Sequence, residues 1–151
     1  MTKPVLFCYD GSEGSKTALG AVIELIKPGD AVVLVVWMPA AVQLARAGSF
    51  VVAVPNEGEI DAQEADRAQQ IAEEGAAAAR ERGYNASARI AEATESVART
   101  IDEIAKEIDA GLIVCGQRGR GALGSALLGS VSHTLAAHTK RPVLIAPHHP
   151  S

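Results

Sequence analysis

The sequence has few aromatic residues and no excess of positive charge. Its 151 residues include two Phe, two Tyr and one Trp, and the formal net charge at pH 7 is −4. Proteins that bind single-stranded nucleic acid stack bases on aromatic side chains, and proteins that bind a phosphate backbone carry an excess of Lys and Arg. The composition therefore argues against a nucleic-acid partner.

Cysteine is also scarce, and the apolar runs are short. Cys8 and Cys115 lie in separate apolar segments, which favours buried thiols over a disulfide framework, a zinc site or a redox pair. The longest apolar run, residues 31–42, contains Pro39 and is too short to span a bilayer. The N-terminal segment MTKPVLFCYD becomes acidic too early for a signal peptide. We therefore expect a cytoplasmic protein with no membrane partner.

The chain does contain an alternation of short β-rich runs and helical patterns. Five runs predict strands, at residues 5–9, 31–37, 84–92, 111–116 and 142–147. The spacing of apolar residues and strong helix formers predicts helices near residues 18–26, 60–82, 97–108 and 131–139. Thr94 or Ser96 is available to cap the third helix, and Gly83 to end the second. Residues 38–59 show no single period and are interpreted as an excursion over the surface.

This alternation favours one α/β domain spanning residues 1–151, with an open, Rossmann-like parallel sheet of five strands and helices on both faces. Ligands of such sheets bind beyond the carboxyl ends of the strands, where the strand order reverses. The polar segments DGSEGS and GQRGRG follow the first and fourth strands. If those two strands are neighbours, both segments face one crevice.

The glycines after the fourth strand match two familiar phosphate motifs only superficially. Gly119, Gly121 and Gly124 spell G-x-G-x-x-G, but no acidic residue follows about 20 positions later to bind a ribose hydroxyl. A Walker A loop requires Lys after its last glycine, and Ser125 or Ser130 stands there instead. The sequence therefore predicts neither a dinucleotide fingerprint nor a P-loop.

A third spacing does fit, because Gly116, Gly119 and Gly129-Ser130 give the pattern G-2x-G-9x-G-S between the fourth strand and the last helix. The glycines allow tight turns and close approach of the backbone to a ligand. Ser130 is suited to cap the helix or to donate its hydroxyl to a phosphate oxygen. Amide N–H groups at the helix start, those of Val131 and Ser132, favour an anion.

The pattern resembles the nucleotide-binding motif of the universal stress protein family. The resemblance extends over nearly the whole chain and includes YDGSEGSKTAL, LVVWMP, DAGLIVCGQRGRG and LLGSVSHTLAAHTKRPVLIAP. It implies the strand order 3-2-1-4-5 in a three-layer α/β/α domain. Gln117 and Arg118 depart from the Gly-Ser-His-Gly or Gly-Ser-Arg-Gly form common in the family, which leaves affinity and nucleotide preference open.

The resemblance also implies a ligand, which is ATP or a related adenine nucleotide such as AMP or cyclic AMP, with Mg²⁺ held by the phosphates. Asp10 would contact the sugar or base, although it also suits the start of the following helix, and the backbone of Val36 would recognise the adenine edge. Arg118 keeps a cation near the phosphates. The predicted nucleotide-binding residues are therefore Tyr9, Asp10, Val36, Gly116, Arg118, Gly119, Gly129, Ser130, Val131 and Ser132.

The sequence shows no catalytic Lys, no triad and no base aimed at a γ-phosphate, so no catalytic or metal-ligating residue is predicted. The favoured function is a stress-response protein that binds ATP and hydrolyses it at most slowly, with nucleotide occupancy as a signal. A genuine ATPase or nucleotidyl-transfer enzyme and a nucleotide-free dimer acting through protein contacts are the alternatives. The terminal apolar strand, from Pro142 to Pro147, predicts a homodimer because it would lie at a sheet edge.

Overall fold

The computed structural model describes residues 2–48, 54–117 and 129–147. Strands and helices alternate along this part of the chain. The strands are β1 (Val5–Cys8), β2 (Asp30–Trp37), β3 (Asn85–Glu92), β4 (Leu112–Gly116) and β5 (Val143–Ala146). The helices are α1 (Glu13–Leu25), α2 (Ala40–Arg46), α3 (Glu57–Glu81), α4 (Val97–Glu107) and α5 (Ser130–His138).

The strands form one parallel sheet in the order β3-β2-β1-β4-β5, which confirms the expected topology. β1 is central and pairs with β2 on one side and β4 on the other, so that Val5 lies beside Ala31 and Leu112. The strand order reverses between β1 and β4. The carboxyl ends of these two strands are therefore where a ligand is expected.

Two hydrophobic layers cover the faces of the sheet. Because successive strand side chains point to opposite faces, Val5 and Phe7 pack under α1 and α3, whereas Leu6 packs under α4 and α5. The first layer includes Leu19 and Val22 of α1 and Ala72 and Ala76 of α3. The second includes Ile101 and Ile104 of α4 and Leu135 of α5. The result is a three-layer α/β/α sandwich.

Small side chains let α3 approach the sheet closely. Its buried residues are Ala68, Ala72, Gly75, Ala76 and Ala79. A Cβ atom added at Gly75 would lie 2.8 Å from Val33 Cγ1 and 2.9 Å from Tyr9 Cδ1. The alanine-rich composition of this helix therefore reflects a packing requirement as well as high helix propensity.

The helix boundaries agree with most of the local signals. Ser96 Oγ accepts a hydrogen bond from Arg99 N–H at 3.1 Å and is the cap of α4. Gly83 follows α3 with φ = +96°, as expected for a residue that ends a helix. Along the described ranges, no helix is both long and apolar enough to cross a membrane.

The described part of residues 38–59 is largely exposed, in keeping with an excursion over the surface, but it is helical at both of its ends. α2 occupies Ala40–Arg46, and α3 begins at Glu57 rather than near Ile60. None of the residues of α2 is buried, so the segment carries no apolar stripe that the sequence could reveal. The start of α2 is instead held by a tertiary contact, in which Asp61 Oδ1 accepts a hydrogen bond from Ala40 N–H at 2.9 Å.

Candidate functional site

A notch in the carboxyl edge of the sheet marks the candidate site. β1 ends at Cys8, and the next amide, Tyr9 N–H, donates to the carbonyl of Leu34 at 2.9 Å. β2 continues to Trp37 and β4 continues to Gly116. Because neighbouring strands lie about 4.8 Å apart, β2 and β4 are separated by about 10 Å beyond the end of β1.

The backbone of Val36 faces this notch. The carbonyl of Leu34 accepts from Tyr9 on the β1 side, whereas the carbonyl of Trp37 accepts from Ala93 on the β3 side. Backbone groups alternate between the two sides of a parallel strand, so Val36 directs its own groups to the same side as Leu34. They therefore lie past the end of β1, where a planar ligand edge can be read by the main chain.

The other wall of the notch is the end of β4. Gln117 N–H donates to the carbonyl of Ala146 in β5 at 2.8 Å. By the same alternation, Gly116 directs its backbone toward β1 and the notch. Val36 and Gly116 are thus brought to opposite sides of one opening, beyond the end of the strand that lies between them.

Asp10 is the side chain at the tip of β1. Its Oδ1 atom accepts a hydrogen bond from Ser12 N–H at 2.9 Å, across Gly11 at φ = +78°. Ser12 Oγ in turn accepts from Ser15 N–H at 3.2 Å and caps α1. Asp10 therefore shapes the turn into α1, and the cap itself is Ser12. The half-buried carboxylate lies directly beyond the central strand.

The start of α5 has no side-chain cap, as in α2 and α3 and unlike α1 and α4. Gly129 is the N-cap residue, so Ser130 is the first residue of the helix and not its cap. The first intrahelical bond runs from His133 N–H to the carbonyl of Gly129 at 2.9 Å. The amides of Ser130, Val131 and Ser132 consequently have no acceptor within the helix. Three N–H groups at the positive end of a helix dipole form an anion-binding surface.

A group of hydrogen bonds holds this helix start against the end of β4. Gly129 N–H donates to the carbonyl of Gln117 at 2.8 Å. The hydroxyl of Ser132 donates to the carbonyl oxygen of Gly129 at 3.0 Å and lies 3.3 Å from the carbonyl oxygen of Gln117. The two ends of the glycine motif, Gly116 and Gly129, are therefore close in space. The sequence singles out Gln117 only as a departure from the family motif. In the structure, its carbonyl oxygen holds the start of α5 against the end of β4.

Two of the predicted residues turn their side chains away from the notch. The ring of Tyr9 is buried against α3, and burial, followed by the nearby charge of Glu74, raises the pKa of its hydroxyl. The side chain of Ser132 is buried and its hydroxyl is used within the protein. Both residues reach the site through backbone atoms.

The remaining predicted residues are Arg118 and Gly119, which lie outside the described residues. Over residues 2–48, 54–117 and 129–147, no group of three or more His, Cys, Asp or Glu side chains is arranged to hold a metal ion. The site is thus formed from main-chain groups of two strands and a helix start, with one carboxylate between them. Such an arrangement suits a ligand with a planar polar edge and an anionic tail.

Comparison with known proteins gave a family and a set of similar folds. A model described as the universal stress protein family matches residues 1–147. A search of curated proteins gave no significant match.

Among solved structures, that of hypothetical protein MJ0577 is 22% identical, with a TM-score of 0.80 over 100% of this chain and 99% of its own. A universal stress protein in complex with cAMP is 21% identical, with a TM-score of 0.61 over 97% of each chain. A universal stress protein family protein from Arabidopsis thaliana with AMP bound is 17% identical, with a TM-score of 0.63 over 97% of this chain and 92% of its own. At these identities the structures show the shared fold.

Proposed function

Because this chain belongs to the universal stress protein family, we propose that it binds an adenine nucleotide, with ATP as the expected ligand, in the notch beyond β1. The observation that carries the proposal is the uncapped start of α5 beside the end of the central strands. Two proteins of the same fold are known with cAMP and with AMP, which supports an adenine ligand.

The geometry supports one orientation of the nucleotide. The phosphates bind the amides of Ser130, Val131 and Ser132, since these donors have no acceptor within the helix. The adenine edge binds the backbone of Val36 on the opposite wall. Asp10, between the two, accepts hydrogen bonds from the sugar or base. We propose that Arg118 and Gly119 complete the phosphate contacts, with Mg²⁺ coordinated mainly by phosphate oxygens and water.

The conformation of Gly129 supports a ligand at this position. Its dihedral angles, φ = −62° and ψ = 158°, are those that any L-residue adopts at a helix N-cap. Backbone strain therefore does not require glycine here. Ser, Asp or Asn would stabilise the helix better, and each would cover the amides that glycine leaves exposed. A nucleotide phosphate in place of a capping side chain explains why the smallest residue stands at this site.

We further propose that the protein acts as a cytoplasmic homodimer in which nucleotide occupancy changes contacts with partners. β5 supports this assembly because it pairs only with β4 among the described strands. Its apolar residues Val143, Leu144 and Ile145 remain only partly buried in the single chain. Antiparallel pairing of two β5 strands across a two-fold axis would cover them and remove an exposed sheet edge.

The test of nucleotide binding is mass spectrometry of small molecules released by denaturing freshly purified protein. We expect an adenine nucleotide from the wild type and none from Gly129→Val, because the added side chain blocks the amides. Gly58→Val is the matched control, since a Cβ at Gly58 meets no atom within 4 Å. Equal nucleotide release from all three proteins would overturn the placement of the phosphates.

Hydrolysis is measured separately, as steady-state release of phosphate or pyrophosphate from added ATP. A protein that hydrolyses bound ATP only slowly should show a turnover rate far below the ~10 per second typical of enzymes. Turnover in the enzymatic range would favour the alternative of a genuine ATPase or nucleotidyl-transfer enzyme. Wild-type protein that neither retains nor binds any adenine nucleotide would favour the nucleotide-free dimer.

A further inference from the structure

The two cysteines, far apart in sequence, lie side by side beneath the notch. The register of β1 and β4 pairs Phe7 with Val114, so Cys8 and Cys115 are the next two residues along adjacent parallel strands. Laterally adjacent residues of a parallel pair point to the same face of the sheet. Both side chains accordingly belong to the layer under α4 and α5, where Cys115 is buried and Cys8 is half-buried.

The spacing of the strands determines which chemistry suits this pair. Neighbouring strands lie about 4.8 Å apart, which is near the short limit of the roughly 4.4 to 6.8 Å that separates the Cα atoms of a disulfide and below its usual 5.5 to 6 Å. Two thiolates on opposite sides of one metal ion, each at about 2.3 Å, span about 4.6 Å. The strand spacing therefore accommodates a linear S–metal–S bridge, whereas a direct S–S bond would be at the short limit of its usual geometry.

We propose that Cys8 and Cys115 form a two-coordinate site for a soft, thiophilic metal ion with a filled d shell, such as Cu⁺, Ag⁺ or Hg²⁺. Binding replaces two S–H bonds with two S–metal bonds and releases two protons to solvent, with no change of oxidation state. Thiolate ligands select ions of this class, and Zn²⁺ is disfavoured because it requires four ligands. The ion reaches the pair from the side of Cys8, which is the less buried residue of the two.

The surroundings favour a neutral complex and protect the pair from other thiol chemistry. Leu6, Leu34 and Ile113 belong to the same layer, and burying a net charge among them is costly. Burial, followed by the neighbouring Cys115 and Asp10, raises the pKa of Cys8 well above its ordinary value, and burial raises the pKa of Cys115 to about 11. Both thiols are therefore protonated at neutral pH and react slowly with alkylating agents and oxidants. Hg²⁺, whose bis-thiolate is neutral, should be retained more strongly than Ag⁺.

The proposal is tested by equilibrium dialysis of the full chain against Ag⁺, Hg²⁺ or Zn²⁺ in excess monothiol, with metal counted by mass spectrometry. We expect one Hg²⁺ per chain, less Ag⁺, and no Zn²⁺. Cys8→Ala and Cys115→Ala should each weaken retention by about 10²-fold, because two preplaced thiols act at a high effective concentration that one thiol cannot match. The half-exposed position of Cys8 makes its Ala variant informative even if Cys115→Ala folds poorly.

Two results would overturn the proposal. One is that either single variant retains Hg²⁺ at the wild-type level, or that no protein retains it, the wild type included. The other is rapid formation of an intramolecular disulfide in mild oxidant, seen as the loss of two hydrogens in the intact mass, since thiols that oxidise so readily are not the buried, protonated pair that the proposal requires. Neither result depends on nucleotide, so the outcome is independent of the proposed nucleotide site.

Discussion

Replacing Gly129 with Asp should make the protein more stable and unable to bind nucleotide. Gly129 is the N-cap of α5 and provides no side-chain hydrogen bond. An Asp carboxylate there would accept from the amide of Val131 or Ser132. Exchanging Gly for Asp at an N-cap is worth a few tenths of a kcal/mol, and a negative charge at the helix start adds about 0.3 to 1 kcal/mol. We therefore expect a gain of about 1 kcal/mol.

The gain is measurable by thermal unfolding of nucleotide-free protein. In a domain of this size, 1 kcal/mol raises Tm by about 2 to 4 °C. The same carboxylate would accept a hydrogen bond from an amide that otherwise binds phosphate, and its negative charge would repel the phosphates. A hydrogen bond to a charged group contributes about 1.5 to 3 kcal/mol, so losing one or two should weaken nucleotide binding by at least about 10-fold in calorimetric titration.

Two control variants separate the causes. Gly129→Asn caps the helix without the charge, so it should raise Tm by less and weaken binding less than Asp does. Ser96→Asp places the same carboxylate at the cap of α4, away from the notch, and should leave binding unchanged. If Gly129→Asp raises Tm but binds nucleotide as tightly as the wild type, the amides of α5 are not the phosphate site and the reasoning is refuted.

Three further predictions concern packing, assembly and pH. Gly75→Ala should lower the free energy of unfolding by about 1 to 3 kcal/mol in urea titrations, because its Cβ would meet the sheet at 2.8 Å. Gly58→Ala, in open space on the same helix, should raise the free energy of unfolding by up to about 1 kcal/mol. Equal effects of the two substitutions would contradict the close approach of α3 to the sheet. Ile145→Glu should yield monomers in sedimentation, and persistent dimers would place the interface elsewhere. Burial alone raises the pKa of Asp102, but hydrogen bonds from Lys106 and Thr139 outweigh it and hold the pKa below its ordinary value. The stabilisation by Asp102 is therefore present above about pH 4 and lost as the pH falls through the lowered pKa. In denaturant titrations, Asp102→Asn should lower the free energy of unfolding by about 1 kcal/mol at pH 7 and by much less at pH 3. An equal loss of stability at both pH values would contradict this role of Asp102.

The order of the strands could be anticipated because each element has its own local pattern. The buried runs around Val5, Ala31 and Leu112 are continuous and apolar, as expected for strands covered on both faces. α2 escaped detection since it buries no side chain and depends on Asp61, which lies about twenty positions later in the chain. Contacts of that kind have no local pattern in the sequence.

The site was anticipated in its main-chain parts and less well in its side chains. Gly116 and Gly129, which the glycine spacing assigns to one site, lie near each other because both flank elements whose position follows from the parallel sheet. Periodicity did not reveal that the ring of Tyr9 belongs to the layer under α3, or that the hydroxyl of Ser132 donates to a carbonyl. The direction of a side chain at the end of an element depends on neighbours that only the folded chain supplies.

The carbonyl of Gln117 joins the end of β4 to the first turn of α5, so Gln117 and Gly129, the described residues on either side of residues 118–128, are held at one point of the fold. Lengthening a segment between fixed ends costs only about 0.6 kcal/mol per doubling. Foreign peptides or reporter groups inserted there should leave the three helical amides in register. This makes the segment a natural place to engineer ligand selectivity or to build a biosensor on this scaffold.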